Sequence, residues 1–443
     1  VSTTSPHLHL FVSLSEHGHH EAAWRLPESN PHSAHSAEHF QYVARLAEEA
    51  KFDAFFLSEG LAVFGDVRQG PTTRLEPTVL LATVGAVTTR LGLIGTSSTT
   101  FADPFTLARR FSSLDHLTNG RAGWNIVTTA DDLAAANFNA EHLPPHAERY
   151  RRATEFVEVV QKLWDSWDDD ALVVDKAAGV YAQQDRVHTI DHEGQYFRVR
   201  GPLNVARSPQ GRPVLIQAGA SEDGREFAAR FAEVIFTAQP NLDEAILFAK
   251  DMRDRIERAG RDPQSVKIIP GLAPVLGLTE EEAQAKEERI QNLIIDKFAL
   301  QRLSKWLHVD TEGWDLDGPL PESALPSEDD VNGMKARFSL IVDWANRDQL
   351  TVRGLLRELA GAHGHRTFVG TPTQLADSIE EWFRAGAADG FVIQPQALPT
   401  EFELFVRHVV PELQRRDLFR REYRGTTLRD HLGLARPDTV RPG

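Results

Sequence analysis

The 443-residue chain contains no cysteine. That removes disulfides, thiolate nucleophiles and cysteine-ligated zinc or iron–sulfur centres together, so any chemistry must come from oxygen and nitrogen side chains or from a bound cofactor. Basic charge is also scarce: 48 Lys and Arg against 64 Asp and Glu leave a formal charge of -16. The cations are dispersed rather than gathered into a stripe, which argues against nucleic acid or an anionic membrane as partner. No apolar run is long enough to span a bilayer, and the N-terminus lacks the basic, apolar and small-residue succession of a secretory signal, so a soluble cytoplasmic protein is expected. Familiar site motifs are missing as well. There is no GxGxxG after the first strand, no GxxxxGK[ST] and no HExxH, and GASEDG (Gly219–Gly224) has the wrong spacing for a serine elbow. A Rossmann site, a P-loop, a zinc protease and a serine hydrolase are all unsupported, and no metal site is expected.

What is present is alternation. Short β-rich runs lie at Leu8–Leu14, Asp53–Ser58, Leu91–Ser97, Ala122–Thr128, Pro213–Ala218, Glu233–Thr237, Val266–Leu276 and Gly390–Gln394. Amphipathic helical patterns follow them at Ala37–Ala50, Glu76–Thr89, Pro104–Leu117, Ala147–Trp164, Glu222–Ala232, Leu242–Ala259, Thr279–Leu303 and Glu401–Arg415. Eight βα units favour a closed barrel over an open sheet, so the α/β fold expected is a (β/α)8 TIM barrel. Pro104 suits a first helical turn, Asn241, Thr279 and Thr400 read as N-caps, and Thr279 with Glu282 spells a capping box.

One domain over residues 1–443 is expected, with insertions at about 165–212 and 280–389, the larger between strands 7 and 8. The first carries a hairpin pattern around His188–Val199; the second carries helical patterns near Asp330–Asn346, Thr351–Ala362 and Thr373–Ala385. An insertion after a barrel strand sits over the catalytic face, so the second is read as a lid whose mobile part is the Gly313–Ser327 loop.

Five clusters fall at the strand ends of that face. SLSEHGHHEAAWR (Ser13–Arg25) places His17, His19 and His20 after strand 1, and imidazole suits His19 to proton transfer or substrate orientation. Glu59 follows strand 2, and a carboxylate there needs donors. GTSSTTF (Gly95–Phe101) ends strand 3 in hydroxyls. HAERY (His146–Tyr150) puts an imidazole and a phenol four residues apart on one helix face, suited to an anion. Ser221 stands where strand 5 runs into a helix, offering a hydroxyl and free N–H groups. Each has an ordinary alternative: loop histidines, a surface acid, hydroxyls serving the backbone, a core tyrosine, a plain serine N-cap. A sixth feature has none ready. In NGRAGWNIVTT (Asn119–Thr129), Asn125 carries a free amide into an apolar strand, and alternation points it with Val127 toward the barrel mouth.

LDHLTNGRAGWNIVTT, PHAERY, QAGASEDGREFAARFAEVIF, VGTPTQLADSIEEWFRAGAADGFVI and VVPELQRRDLFR together resemble the luciferase-like flavin monooxygenases, in the subgroup of nitrilotriacetate, dibenzothiophene sulfone and long-chain alkane monooxygenases. The resemblance runs from GHHEAAWR to the last helix. It implies an FMN-dependent enzyme that takes reduced flavin (FMNH2) from a separate NAD(P)H-dependent flavin reductase. It also implies O2 as co-substrate, oxygenation of a small organic molecule through a flavin C4a-(hydro)peroxide, and a homodimer or homotetramer. FMN contacts are implied at Glu59, Thr96, Asn125, His146, Tyr150 and Ser221, the last three near the phosphate, with His19 catalytic. Position 59 usually holds aspartate in such proteins; here it is glutamate. Ala130 stands where the alkane enzyme carries histidine, which sets this pocket apart from one for a long-chain alkane. Two other readings fit the same barrel: a deazaflavin-dependent dehydrogenase and a non-catalytic flavin-binding protein.

Overall fold

In a computed structural model, the described residues are 7–440 other than 31, 64–66, 69, 71, 220, 328–330, 332–334 and 363. All eight expected barrel strands form: β1 His9–Leu14, β2 Ala54–Leu57, β3 Gly92–Ser98, β4 Ala122–Val127, β5 Val214–Gln217, β6 Val234–Thr237, β7 Lys267–Leu276 and β8 Gly390–Ile393. Each pairs in parallel with its neighbours, and the ring closes where β8 meets β1 through His9↔Gly390 and Val12↔Ile393. Burial on both faces explains why these strands read as continuous apolar runs rather than alternating ones.

Helices wrap the ring where the sequence places them, with ends fixed by side chains. Ser36, Asp103 and Asn241 each accept an N–H three residues ahead, and Pro104 opens its helix. Thr279 caps through Glu282 N–H, but the Glu282 carboxylate returns to Leu278 N–H, so the box is incomplete. Thr400 is not an N-cap; Pro399 holds that place. The helix expected over Thr279–Leu303 breaks into Glu280–Gln291 and Asp296–Leu307. The last barrel helix carries a π segment at Phe405–Val409 just before Pro411, which has no N–H to continue the ladder.

The first insertion holds the expected hairpin as His192–Glu193 with Arg198–Val199, and a second, unexpected one, Leu172–Asp175 with Val180–Ala182. Residues 277–389 separate β7 from β8 and contain the helices Lys335–Arg347, Val352–Ala362 and Pro372–Arg384. The expected start at Asp330 lies outside the described residues. A strand not expected from the sequence, Arg366–Gly370, pairs in parallel with the outer half of β7.

Two features direct the opening to one end. Inside the barrel, Phe11, Phe56, Ile94, Ile216 and Val392 pack with Leu428 and Leu432 of a short C-terminal helix, so the N-terminal end is plugged. Gly92 and Gly123 make room for that plug: a β-carbon at Gly92 would stand 2.5 Å from a Leu428 methyl. Arg429 in the plug chelates Glu233 at 2.6 and 3.0 Å. The C-terminal ends of the strands are left to form the site.

Candidate functional site

A cleft of about 2210 Å³ opens at the C-terminal ends of the strands. His19, Glu59, Thr96, Asn125 and Tyr150 all line it; His146 and Ser221 do not line it but stand behind Tyr150.

Asn125 forms the floor. It is buried on β4 opposite Thr96 of β3, and its Nδ2 donates to Thr96 Oγ1 at 2.9 Å. Thr96 spends its own proton on the Leu57 carbonyl at 2.8 Å, so its oxygen can only accept from Asn125. That order fixes the amide: Nδ2 faces the strand and Oδ1, buried and without a partner, faces the cleft. On the other side of β4, Trp124 packs against Phe111, Phe156 and Trp164. Gln217 at the end of β5 repeats the device, with a buried and unpartnered Oε1 on the same cleft. Gln217 is not among the site residues expected from the sequence, although a lone amide in a buried strand is the same signal that marks Asn125.

The second group sits beside Gly219. His146 and Tyr150 meet as tilted rings with centres 5.0 Å apart. Asp223 takes His146 Nδ1 at 2.9 Å, turning Nε2 toward Ser221 Oγ at 3.5 Å. Ser221 caps the helix Glu222–Phe231 through Gly224 N–H at 3.2 Å. Burial pushes the Tyr150 phenol up, opposed by hydrogen bonds with Ser221 and Thr128. A β-carbon on Gly219 would stand 2.8 Å from the Tyr150 hydroxyl and 2.3 Å from Gln217 Nε2, so a larger residue would displace both polar ends from this cradle. Glu222 in the first helical turn is drawn away to Arg255.

His19 lies on the loop after β1. Gly18 takes φ +124° there, where a β-carbon would fall 2.3 Å from the Gln396 carbonyl. His19 N–H donates to the Pro395 carbonyl at 2.8 Å, clipping this loop to the one after β8. Its Nε2 faces the Ser13 carbonyl at 3.1 Å. A carbonyl only accepts, so Nε2 carries the proton and Nδ1 is left as an acceptor. Burial pulls the imidazole down to about 4, which keeps it neutral. His17 and His20 are buried rather than exposed loop residues: His17 Nδ1 lies 3.1 Å from Ser33 Oγ, and His20 Nδ1 accepts Ala22 N–H at 3.1 Å.

Glu59 lies on the wall between β2 and β3, and burial, then the charge of Glu76, push its carboxyl up to about 7. The outer wall comes from the loop after β1 and from the insertion between β7 and β8 that the sequence marks as a lid, although none of the residues it contributes was singled out. Trp24 follows the His19 loop, and Lys297, Gln301, Arg302, Lys305 and Trp306 come from the helix Asp296–Leu307. Arg302 pairs with Glu21 across the mouth.

The arrangement fits a flavin mononucleotide. Reduced isoalloxazine offers ring N–H donors to the orphaned oxygens of Asn125 and Gln217, and a phosphate finds phenol, hydroxyl and imidazole around Tyr150, Ser221 and His146.

The family model described as luciferase-like monooxygenase matches residues 17–389. N-acetyl-S-(2-succino)cysteine monooxygenase of Bacillus subtilis (strain 168) is 46% identical over 99% of both chains. Nitrilotriacetate monooxygenase component A of Aminobacter aminovorans is 46% identical over 95% of both. A crystal structure of riboflavin lyase with modified FMN and riboflavin superposes with a TM-score of 0.84 at 32% identity, covering 96% of each chain.

Proposed function

This chain belongs to the luciferase-like monooxygenase family and is a flavin-dependent monooxygenase, and we propose that it is the oxygenase of a two-component pair that receives reduced FMN from a separate NAD(P)H-dependent reductase. The observation that carries this reading is the pair of buried, unpartnered amide oxygens on Asn125 and Gln217 at the floor of an open cleft. Such atoms are costly unless a ligand donates to them, and reduced flavin does so where an oxidised ring has fewer donors. The name of one relative, component A, supports a second component.

Bound reduced flavin would supply the electrons that activate O2. Asn125 and Gln217 hold the ring, with Thr96 fixing Asn125; Tyr150, Ser221 and His146 hold the phosphate. His19 presents an unprotonated Nδ1 to the cleft, so it takes up or orients a proton rather than supplying one. The helix Asp296–Leu307 and the loop through Gly313 cover the outer half, where a small organic substrate enters and water is excluded. The enzyme acts as a homo-oligomer in the cytoplasm.

The test is oxygen uptake with FMN, NADH and an added flavin reductase, screened against the compounds in the relatives' names. The expected result is substrate-dependent product beyond the peroxide formed without substrate, with reduced FMN bound more tightly than oxidised. Hydride transfer to a deazaflavin without oxygen uptake would favour the dehydrogenase instead. Tight binding of oxidised FMN with no turnover would favour a storage protein.

A further inference from the structure

The first insertion carries two hairpins of opposite character. The hairpin His192–Glu193 with Arg198–Val199 is tied to the barrel's own helix His146–Trp164: Glu155 accepts the N–H groups of Tyr196 and Phe197 at 3.0 and 2.8 Å, and Phe197 meets Phe156 edge to face. The ribbon of Leu172–Asp175 with Val180–Ala182 is tied at its base, where Gln183 N–H donates to the Ala171 carbonyl at 2.9 Å and Trp167 bridges to Val187. Every residue from 172 to 181 is exposed. Successive strand residues point to opposite faces, so both faces of the ribbon are open. Its side chains are nonetheless apolar: Leu172, Val173, Val174, Val180 and Tyr181, the last 69% exposed. A lone two-stranded ribbon is marginal in water, and an apolar patch of this kind usually marks a contact. The register slips between Leu172 and Asp175, and within that slip Val174 takes φ +51°. A β-branched residue in the left-handed region is costly and is kept where its surroundings hold it, yet half of this valine is open to solvent. The slip also interrupts the edge of the ribbon, so a partner meets it through side chains rather than by adding a strand.

We propose that this ribbon is a contact between two copies of the chain, packed ribbon on ribbon about a two-fold axis with the tips pointing in opposite directions. It gives a surface to the homo-oligomer proposed above and rests on that part of the reading alone. Charge selects a second copy as the occupant. The chain carries -16, so most pairings of its surface with itself set like charge against like, whereas residues 172–174 and 180–182 carry no charge at all. A two-fold contact has to match itself, and an uncharged apolar patch does so. The same acidic balance turns the ribbon away from an anionic membrane. Charge also selects the direction. Lys176 at the tip is exposed and has no ion-pair partner among the described residues. At the base, Asp168 and Asp170 share the one Arg186 guanidinium, each at 3.4 Å, and the Asp170 side chain is 66% exposed. Tips side by side would set Lys176 against Lys176. Opposed tips set each Lys176 beside the Asp170 end of the other copy.

Sedimentation velocity of the full chain over a dilution series tests the contact. Wild type should sediment as a dimer or a larger even assembly. Tyr181→Glu should weaken association on the order of 100-fold, since it sets charge at the most exposed aromatic of the ribbon. Val174→Gly suits the left-handed backbone and removes only the side chain, so it should weaken association by roughly tenfold with the circular dichroism unchanged. Lys176→Glu should weaken it by about fivefold, and adding Asp170→Lys should restore it. A wild-type assembly that persists equally in Tyr181→Glu and Val174→Gly would overturn the ribbon contact and leave the homo-oligomer standing. A wild type that stays monomeric at every concentration would overturn both, with the flavin reading untouched. Loss of product formation with the added flavin reductase in Tyr181→Glu, its assembly intact, would assign the ribbon to the reductase instead and overturn the proposal. Failure of the charge swap to restore association would overturn the opposed arrangement of the tips.

Discussion

The two walls of the cleft are built on opposite terms. The inner wall consists of short side chains on strand ends, buried and ordered by one another: Thr96 is fixed by the Leu57 carbonyl, and Asn125 by Thr96. The outer wall consists of long side chains on an inserted helix, where Lys297, Gln301 and Lys305 repeat every four residues and are exposed. A rigid floor suits a cofactor that is the same in every turnover. A solvated wall carried by an insertion suits a substrate, because it can change without disturbing the barrel.

Asn125→Leu should break the inner wall most severely. It removes the cleft-facing oxygen and takes away the donor to the buried Thr96 oxygen, so anaerobic affinity for reduced FMN should fall on the order of 100-fold. The circular dichroism of the barrel should stay unchanged. An unchanged affinity would mean that the floor of the cleft does not hold the ring.

His19→Ala tests a different property of the same wall. With the base gone, coupled product formation should fall by about 10²-fold to 10³-fold and peroxide should rise. Reduced FMN affinity should move by less than about threefold, since His19 is expected to serve the reaction rather than the grip. Tyr150→Phe and Ser221→Ala come next, each weakening FMN by roughly tenfold while leaving riboflavin, which lacks the phosphate, unaffected. Equal losses for both flavins would place the phosphate elsewhere.

Much of the inner wall was legible because its residues interrupt strong patterns. An amide within AGWNIV, a hydroxyl run closing β3 and a serine at the start of a helix each stand out against apolar periodicity. Gln217 was missed only because its strand is short and its amide sits at the last position. The outer wall was legible only as an insertion over the catalytic face, with none of its residues marked. Arg302 reads as an ordinary position of the helix expected over Thr279–Leu303 and Trp306 falls beyond its expected end, and which face of an inserted helix meets the cleft depends on contacts far along the chain, such as the pairing of Arg302 with Glu21. The break between Gln291 and Asp296 was hidden for the same reason: no proline or glycine marks it, and tertiary packing decides it. The Arg366–Gly370 strand is half-exposed along most of its length and carries an arginine and a threonine, so it lacks the apolar density by which the barrel strands were found.

Acid should weaken the β1 loop that carries the site. Burial holds His19 down to about 4 and His20 down to about 3, whereas both would take up protons near 6.5 when unfolded. The unfolded chain therefore binds more protons between those limits, and stability should be lost as pH falls from about 6.5 toward 4. The loss should be about 2 kcal/mol per histidine at pH 5. Thermal unfolding at pH 5 and 7 measures it. A double variant, His19→Asn with His20→Asn, should lose less on acidification than wild type.

The smallest expected effect is the one that most sharpens the contrast between the walls. Lys297 and Lys305 are exposed cations on the cleft with no ion-pair partner among the described residues, so each is free to meet an acidic group of a substrate, but in a well-screened setting. Lys297→Ala and Lys305→Ala should therefore change the KM for the true substrate by no more than about fivefold each, with larger effects at low salt. Neither should alter kcat or the affinity for reduced FMN, because no link of the Leu57, Thr96 and Asn125 chain reaches this helix. A change in flavin affinity would mean that the inserted helix closes over the cofactor as well as the substrate. The two walls would then act as one, and the separation of their tasks would fail at the residue where it looked safest.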